Sequence, residues 1–299
     1  ERAIRKSVGC KVCIMNAGKL AVIYMSTRKT DKEDSLKLAK LLKTHDEDEL
    51  PIVAPPSDEE WERRKLLSEY RSLKCQRTKE INKLHAIFEH NGYTQFVRKD
   101  MCSEKNRANI LPLLKGYEKE EAERLVERLN LLEKQIERLL QKINAEVEND
   151  GKIQKVMTVP GIGPITALAY VAYVGDVNRF DNAHQVSNFI GFVPKVDNSC
   201  TICRSGHTTK KGNPLLRSLL VQAAWSTVKS KNGGALRDKY KYMADSRCIG
   251  KGKSIVTIAR KLGELLYLIL KTDQEYKPQK FITPELKISK LAEDALECS

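Results

Sequence analysis

The sequence predicts a mainly α-helical protein. It has a small α/β portion at the N-terminus, a central helix of coiled-coil pattern, and a helical C-terminal domain containing a helix-hairpin-helix. Three observations predict this. Apolar residues recur at helical spacing over two long stretches, near residues 58–90 and 118–147. From Lys152 onward, short apolar segments are separated by Gly, Pro and Asn, the punctuation of short helices joined by tight turns. Strand-like sequence is concentrated near "GCKVCIMN".

The elements follow in chain order. "ERAIRKSVGCKVCIMNAGKLAVIYM" reads as the end of a helix followed by strand-like segments. It does not begin with methionine and shows no helix-start signal, so the expectation is that an N-terminal portion is missing. From Thr30, "TDKEDSLKLAKLLK" reads as a helix with Leu36, Leu38, Leu41 and Leu42 as its apolar positions. "LPIVAPPSDEE" is a proline-rich linker, and Ser57 with Glu60 forms a capping box for the next helix. That helix spans about Asp58 to His90, and the glycine of "NGY" ends it. In the next long helix, Leu125, Leu129, Leu132, Ile136, Leu139, Ile143 and Val147 lie close to the 3.5-residue period of a coiled-coil seam. The pattern leaves two partners open, a second copy of the chain or another helix of the same chain; a homo-oligomer through this seam is one expectation. Further helices are predicted near Lys152–Thr158, Pro164–Val174, Ala183–Ile190, Asn213–Lys229, Ala235–Ala244 and Lys253–Leu270, with an irregular, polar, basic stretch between Gly191 and Gly212. The expected domains are therefore 1–105, a partial α/β domain; 106–150, the coiled-coil helix; 151–274, the helical domain; and 275–299, a polar tail.

Composition narrows the function. The chain carries 53 Lys+Arg against 39 Asp+Glu, a formal net charge of +14. Such an excess favours a polyanionic partner, above all nucleic acid. From Gly151 to Asp273 there are 19 basic and 7 acidic residues, so most of the excess lies in the C-terminal half. No apolar run approaches the length of a membrane span, and the start lacks a signal peptide's apolar stretch, so the expected location is cytoplasmic. Two C-x-x-C pairs, Cys10/Cys13 and Cys200/Cys203, lie much farther apart than the usual spacing of a zinc ribbon, and the first sits on a predicted strand. They read as reduced thiols.

Three motifs could carry chemistry. "TVPGIGPITA" (Thr158 to Ala167) places Gly161 and Gly163 between two helices, with Pro164 opening the second. Glycine lets backbone approach a phosphate, and the new helix start offers N–H donors; a tight turn that merely needs glycine is the plainer reading. "KTDKED" puts Asp31 and Asp34 at i, i+3 on a helix start, one face, where two carboxylates can hold a divalent cation. Acids are also routine at helix starts, and Thr30 with Glu33 makes a capping box unaided. "VPKVDNSCTICRSGHTTKKGNPLLR" holds Ser199, Thr201 and Ser205, followed by Arg204, His207, Lys210, Lys211 and Arg217. A serine can attack a phosphodiester when cations meet the developing charge. Chemistry alone does not separate the three hydroxyls.

Taken in order, these pieces resemble the IS110 (and IS1111) family of insertion-sequence transposases. The resemblance covers nearly the whole chain and is strongest in "VPGIGPITA", "FIGFVP", "KKGNPLLRSLLVQAAW" and "KGKSIVTIARKLGELLYLIL"; "RKTDKEDSLKLAKLL" and "RTKEINKLHAIF" extend it toward the N-terminus. The resemblance implies a RuvC-like, RNase H-like N-terminal domain with four acids in the order Asp, Glu, Asp, Asp, of which Asp31 and Asp34 match the last two. It implies Mg2+ or Mn2+ held there, a coiled coil, and a C-terminal domain whose catalytic serine follows the "FVP" segment. Ser199 matches that serine, with Cys200 where glycine is common. DNA is the implied substrate, cleaved and rejoined, with Gly161, Gly163, Arg204, Lys210, Lys211 and Arg217 as candidate DNA contacts. A non-coding guide RNA and a bacterial or archaeal cytoplasm are also implied. The first two acids have no match in the chain, consistent with the expected N-terminal truncation, so a catalytically dead DNA-binding relic and a RuvC-type junction nuclease stand as alternatives.

Overall fold

The computed structural model describes residues 4, 7, 12–16, 20, 30–46, 49–199 and 202–278, by backbone alone at 195–199 and 202–205. The chain divides into two compact units at Asp58.

In the first unit, helix α1 (Asp31–Thr44) starts where the sequence places it, because Thr30 Oγ1 accepts the N–H of Glu33 at 3.3 Å. This satisfies one of the N–H groups that a helix start leaves unpaired. Asp31, Glu33 and Asp34 lie in the first turn, where the helix dipole favours negative charge. The strand-like segment is represented by one antiparallel bridge, Met15 to Ile52. Val53 N–H donates to the Ile14 carbonyl at 2.7 Å and Asn16 N–H to that of Pro51 at 2.9 Å. The proline-rich stretch thus pairs with the strand-like one as well as linking helices.

The second unit begins with two long helices, α2 (Asp58–His90) and α4 (Gly116–Asn149), joined through the short α3 (Glu104–Ile110). They run antiparallel. Leu67 packs with Ile143 and Val147 at one end. Ile81, Leu84 and Phe88 pack with Ala122, Leu125 and Leu129 at the other. Ion pairs follow the same register, with Arg63 to Glu146 at 2.9 Å, Arg77 to Glu133 at 2.6 Å and Arg128 to Glu80 at 3.3 Å. The heptad-like seam is therefore buried within one chain, the intrachain partner that the spacing leaves open. Arg107 of α3 is 1% exposed and donates to Asn130 Oδ1 (2.9 Å), Glu133 Oε2 (2.7 Å) and the Met101 carbonyl (3.0 Å). A charge this buried requires such partners.

The C-terminal core is built on α6 (Pro164–Val174), whose sequence PITALAYVAYV is apolar on every face and accordingly buried. Around it lie α5 (Gly151–Met157), α7 (Ala183–Ile190), α8 (Pro214–Lys229) and α10 (Lys251–Thr272), with α9 (Gly234–Lys241) packed on α8 and α10. Buried tyrosine hydroxyls find carbonyls: Tyr170 donates to Gly263 at 2.6 Å and Tyr267 to Phe180 at 2.9 Å. These helices lie close to their predicted positions. The stretch expected to be irregular instead contains an antiparallel hairpin, β1 (Pro194–Ser199) with β2 (Ile202–Thr208). Its sequence lacks the apolar–polar alternation of a half-buried strand, so it gives no period-two signal. Of the expected polar tail, residues 275–278 are described. Tyr276 N–H donates to Thr158 Oγ1 at 3.0 Å, and just before it Asp273 pairs with Lys155 at 2.6 Å.

Candidate functional site

The sequence singles out three regions, and the structure gives each a different character. At the start of α1, Asp31 is exposed and Asp34 half-buried. Asp34 Oδ1 is shielded from solvent and accepts no hydrogen bond among the described residues, with Lys37 Nζ 3.7 Å away. A sheltered, unsatisfied carboxylate oxygen is the kind of donor atom that suits a hard cation. Among the described residues these acids are not joined by a further cluster of metal-binding side chains. Of the first C-x-x-C pair, Cys13 is a free thiol and Cys10 lies outside the described residues. Of the second pair, Cys203 lies on β2, and Cys200, with Thr201, lies outside the described residues.

The turn between α5 and α6 separates its two glycines. Gly161 has φ +92°, and a Cβ there would lie 2.6 Å from both the backbone N and Oγ1 of Thr227 on α8. Thr227 Oγ1 also donates to the Pro160 carbonyl at 2.7 Å. Gly161 is thus fixed by a close helix approach and a left-handed backbone. Gly163 has ordinary φ (−99°) and open space where a Cβ would stand. It caps α6, whose first position is Pro164. Of the two, Gly163 is the one that a phosphate could approach.

The hairpin and the start of α8 hold the remaining candidates. Ser199 ends β1, in register with Ile202; Asp197 faces Arg204 and Val196 faces Ser205 in the ladder. Strand rise carries Ser199 about 16 Å from Pro194. The hairpin base is tied by Thr209 N–H to the Val193 carbonyl (2.9 Å) and Lys210 N–H to that of Gly191 (3.2 Å). Lys210 and Lys211 are exposed there. Arg217 is half-buried, and its Nη1 donates to the carbonyls of Ile190 (3.1 Å) and Gly212. Burial lowers its pKa from the usual guanidinium range. Asn213 caps α8 by accepting from the N–H groups of Leu215 (2.8 Å) and Leu216 (3.1 Å). The sequence offers Arg204, Lys210, Lys211 and Arg217 to meet charge developing at Ser199, and the last three lie together in the structure. They cluster at the base of the hairpin, whereas Arg204 alone is near its tip in register. Arg217 holds the α7 terminus to the α8 start. His207 is exposed on β2.

Sequence reasoning missed one ionic cluster. Glu264 of α10 accepts from the buried Ser187 of α7 (2.9 Å) and from Lys261 (2.6 Å), with Arg260 Nε 3.7 Å away. Burial would raise its pKa, but the hydrogen bonds from Lys261 and Ser187 and the charges of Lys261 and Arg260 outweigh this and hold it below the usual range. The available signal was a lone acid within the apolar run "LGELLYLIL".

Comparison with known proteins supplies the context for these regions. A DEDD transposase model of the IS110 type matches residues 3–90, and the model described as "Transposase IS116/IS110/IS902 family" matches residues 153–241. The chain is 37% identical over 105 residues (35% of its length) to a "Probable family 20 transposase" of Pseudomonas aeruginosa, covering 31% of that protein. It is 27% identical over 137 residues (46% of its length) to the "Transposase for insertion sequence element IS1111A" of Coxiella burnetii, covering 38%. It is 28% identical over 262 residues (78% of its length) to the protein y4rJ of Sinorhizobium fredii, covering 64%. The chain thus spans about a third of the first two relatives and less than two thirds of the third. Two models of one family, matched in order along the chain, lead to one conclusion: the chain belongs to the IS110/IS116/IS902 family of transposases.

Proposed function

We propose that the chain acts on DNA as a transposase that cuts and rejoins strands through Ser199, with Asp31 and Asp34 in a carboxylate site for Mg2+ or Mn2+. The observation that carries this reading is the ordered match of the two transposase models, with "KTDKED" inside one and Ser199 inside the other. Attack by Ser199 Oγ on a backbone phosphorus forms one P–O bond and breaks another, releasing a DNA hydroxyl. One phosphodiester replaces another, so the energy of the broken strand is kept for rejoining. Arg204, two rungs of the ladder from the tip, would meet charge on the reacting phosphate. His207 is the nearest imidazole in sequence to take the serine proton. A divalent ion held by Asp31 and Asp34 would supply Lewis-acid stabilisation of phosphate oxygens. Gly163 at the α6 start and Lys210 and Lys211 at the hairpin base would hold flanking backbone, a role that needs no sequence readout; Gly161 and Arg217 serve by shaping the turn and the base. A non-coding guide RNA would add a second polyanion for the same basic surface.

The test uses a suicide DNA substrate with Mg2+ and the protein expressed together with any upstream coding sequence. A covalent protein–DNA adduct is expected, mapped by mass spectrometry to Ser199, absent in Ser199→Ala, and lost in Asp34→Asn while duplex binding persists. An adduct on Ser205 or Thr201 overturns the serine assignment. Cleavage without any adduct favours the junction-nuclease reading, and binding without cleavage favours the relic.

A further inference from the structure

The cluster around Glu264 is unbalanced. Arg260 and Lys261 of α10 pair with Glu264, and Lys239, in the last turn of the α9 that packs on α10, is drawn by the same carboxylate. Lys261 and Arg260 pair with Glu264 at 2.6 and 3.7 Å. Among the described residues Lys239 has no carboxylate within ion-pair distance, and Arg260 Nε is sheltered from solvent without a hydrogen bond. Both oxygens of Glu264 are already engaged, and its single charge is shared among the three cations. One oxygen accepts from Ser187 and the other from Lys261. All three cations are half-buried, so their repulsion is less screened than on an open surface. Burial, then the neighbouring charges of Lys261 and Arg260, lower the Lys239 pKa, against the pull of Glu264. A surplus of sheltered cationic donors, one orphaned, is disfavoured unless an anion completes it.

We infer that Lys239, Arg260 and Lys261 form an anion site for a nucleic-acid backbone phosphate, separate from the hairpin and the glycine turn, with Glu264 as an internal competitor for the same cations. This rests on the proposed DNA-acting function but adds a site to it. A phosphodiester adds two further anionic acceptor oxygens and brings the charge that the cluster lacks. The three cations lie on two helices, so a phosphate bound there would also tie α9 to α10.

The sign of two substitutions tests this. Affinity of the full chain for a mixed-sequence DNA duplex is measured by fluorescence anisotropy across a salt series, for wild type, Lys239→Gln and Glu264→Gln, with thermal melting as a folding control. Lys239→Gln should weaken binding about tenfold and make the log affinity–log salt slope shallower by about 0.9, the counterion release of one phosphate contact. Glu264→Gln, which keeps an acceptor for Ser187 but removes the competing charge, should strengthen binding. A merely structural cluster would have both variants lower the melting temperature and neither raise affinity. Wild-type binding matched by both variants overturns this site and leaves the proposed function standing. Absence of duplex binding by the wild type at low salt overturns both. Lys239 side-chain resonances that shift with inorganic phosphate but not with bound duplex overturn the backbone-phosphate site in favour of a free anion.

Discussion

Gly161 and Gly163 stand two residues apart in one motif and are held for different reasons. Gly161 combines a left-handed backbone with a 2.6 Å approach to Thr227, where backbone as well as side chain would have to move to admit a methyl group. Gly161→Ala should therefore destabilise the protein on the order of 3 kcal/mol, the range of backbone strain plus overpacking. Gly163→Ala meets neither obstacle and should change stability by less than about 0.5 kcal/mol. Thermal or urea unfolding of the two variants checks this. Equal losses would mean that the turn is set by something other than the Thr227 contact. If Gly163→Ala melts like wild type yet binds duplex more weakly, the backbone-approach role passes to Gly163 alone. The motif was legible in the sequence; which glycine does which task was not, because Thr227 is 66 residues from Gly161 and only α8 packing brings it there. Arg217 shows the same limit. Its place in "KKGNPLLR" suggests a phosphate contact, but two carbonyls at the hairpin base claim its Nη1.

Among elements, the pairing of α2 with α4 turns a sequence pattern into a defined partner. Glu133 of α4 sits between Arg107 and Arg77, with hydrogen bonds from both. Burial alone would raise its pKa; the hydrogen bonds from Arg107 and Arg77, with their charges, outweigh burial and hold it below the usual carboxylate range. The folded value lies below the unfolded one, so the ionised form stabilises the fold. That contribution is fully present above the unfolded pKa and is lost as pH falls through the folded one. Glu133→Gln should be clearly destabilised near pH 7 and should approach wild-type stability toward about pH 3. Urea melts at the two pH values measure it, and a wild-type-to-variant gap that stays constant would show that the pair does not couple to folding. The apolar face of α4 was legible in the spacing of Leu125, Leu129, Ile136, Leu139, Ile143 and Val147, all buried. Its partner was undetermined, because the period of a helix face states what must be covered and not what covers it. The β1–β2 hairpin was missed for a related reason. Its strands pair through backbone, and their sequence carries no apolar–polar alternation to mark them.

At the scale of the second unit, two apolar clusters divide the helical pair. The larger joins α2 and α4 at the Leu67 and Ile143 end to the C-terminal helices. The smaller, around Phe88, Met101 and Leu125, closes the far end with α3. The smaller cluster has less apolar surface to hold it, so local opening should start there. Hydrogen exchange should be faster for amides between 93 and 115 than for those of α6 and α10. Uniform protection across both regions would mean that the pair opens only with the whole unit.

What the sequence determined by itself was the family, the positions of most helices, and the concentration of positive charge in the C-terminal half. Each is written in local form, as periodicity, caps, glycine and proline punctuation, or composition, and needs no knowledge of distant contacts. The tertiary structure alone decided the rest. It set α2 against α4, extended the serine segment into a hairpin that parts Ser199 from Lys210, Lys211 and Arg217, and gathered three cations from α9 and α10 around one glutamate. These are relations between residues far apart in the chain, fixed by which apolar faces must be covered together, and burial then determines which charges are left without partners.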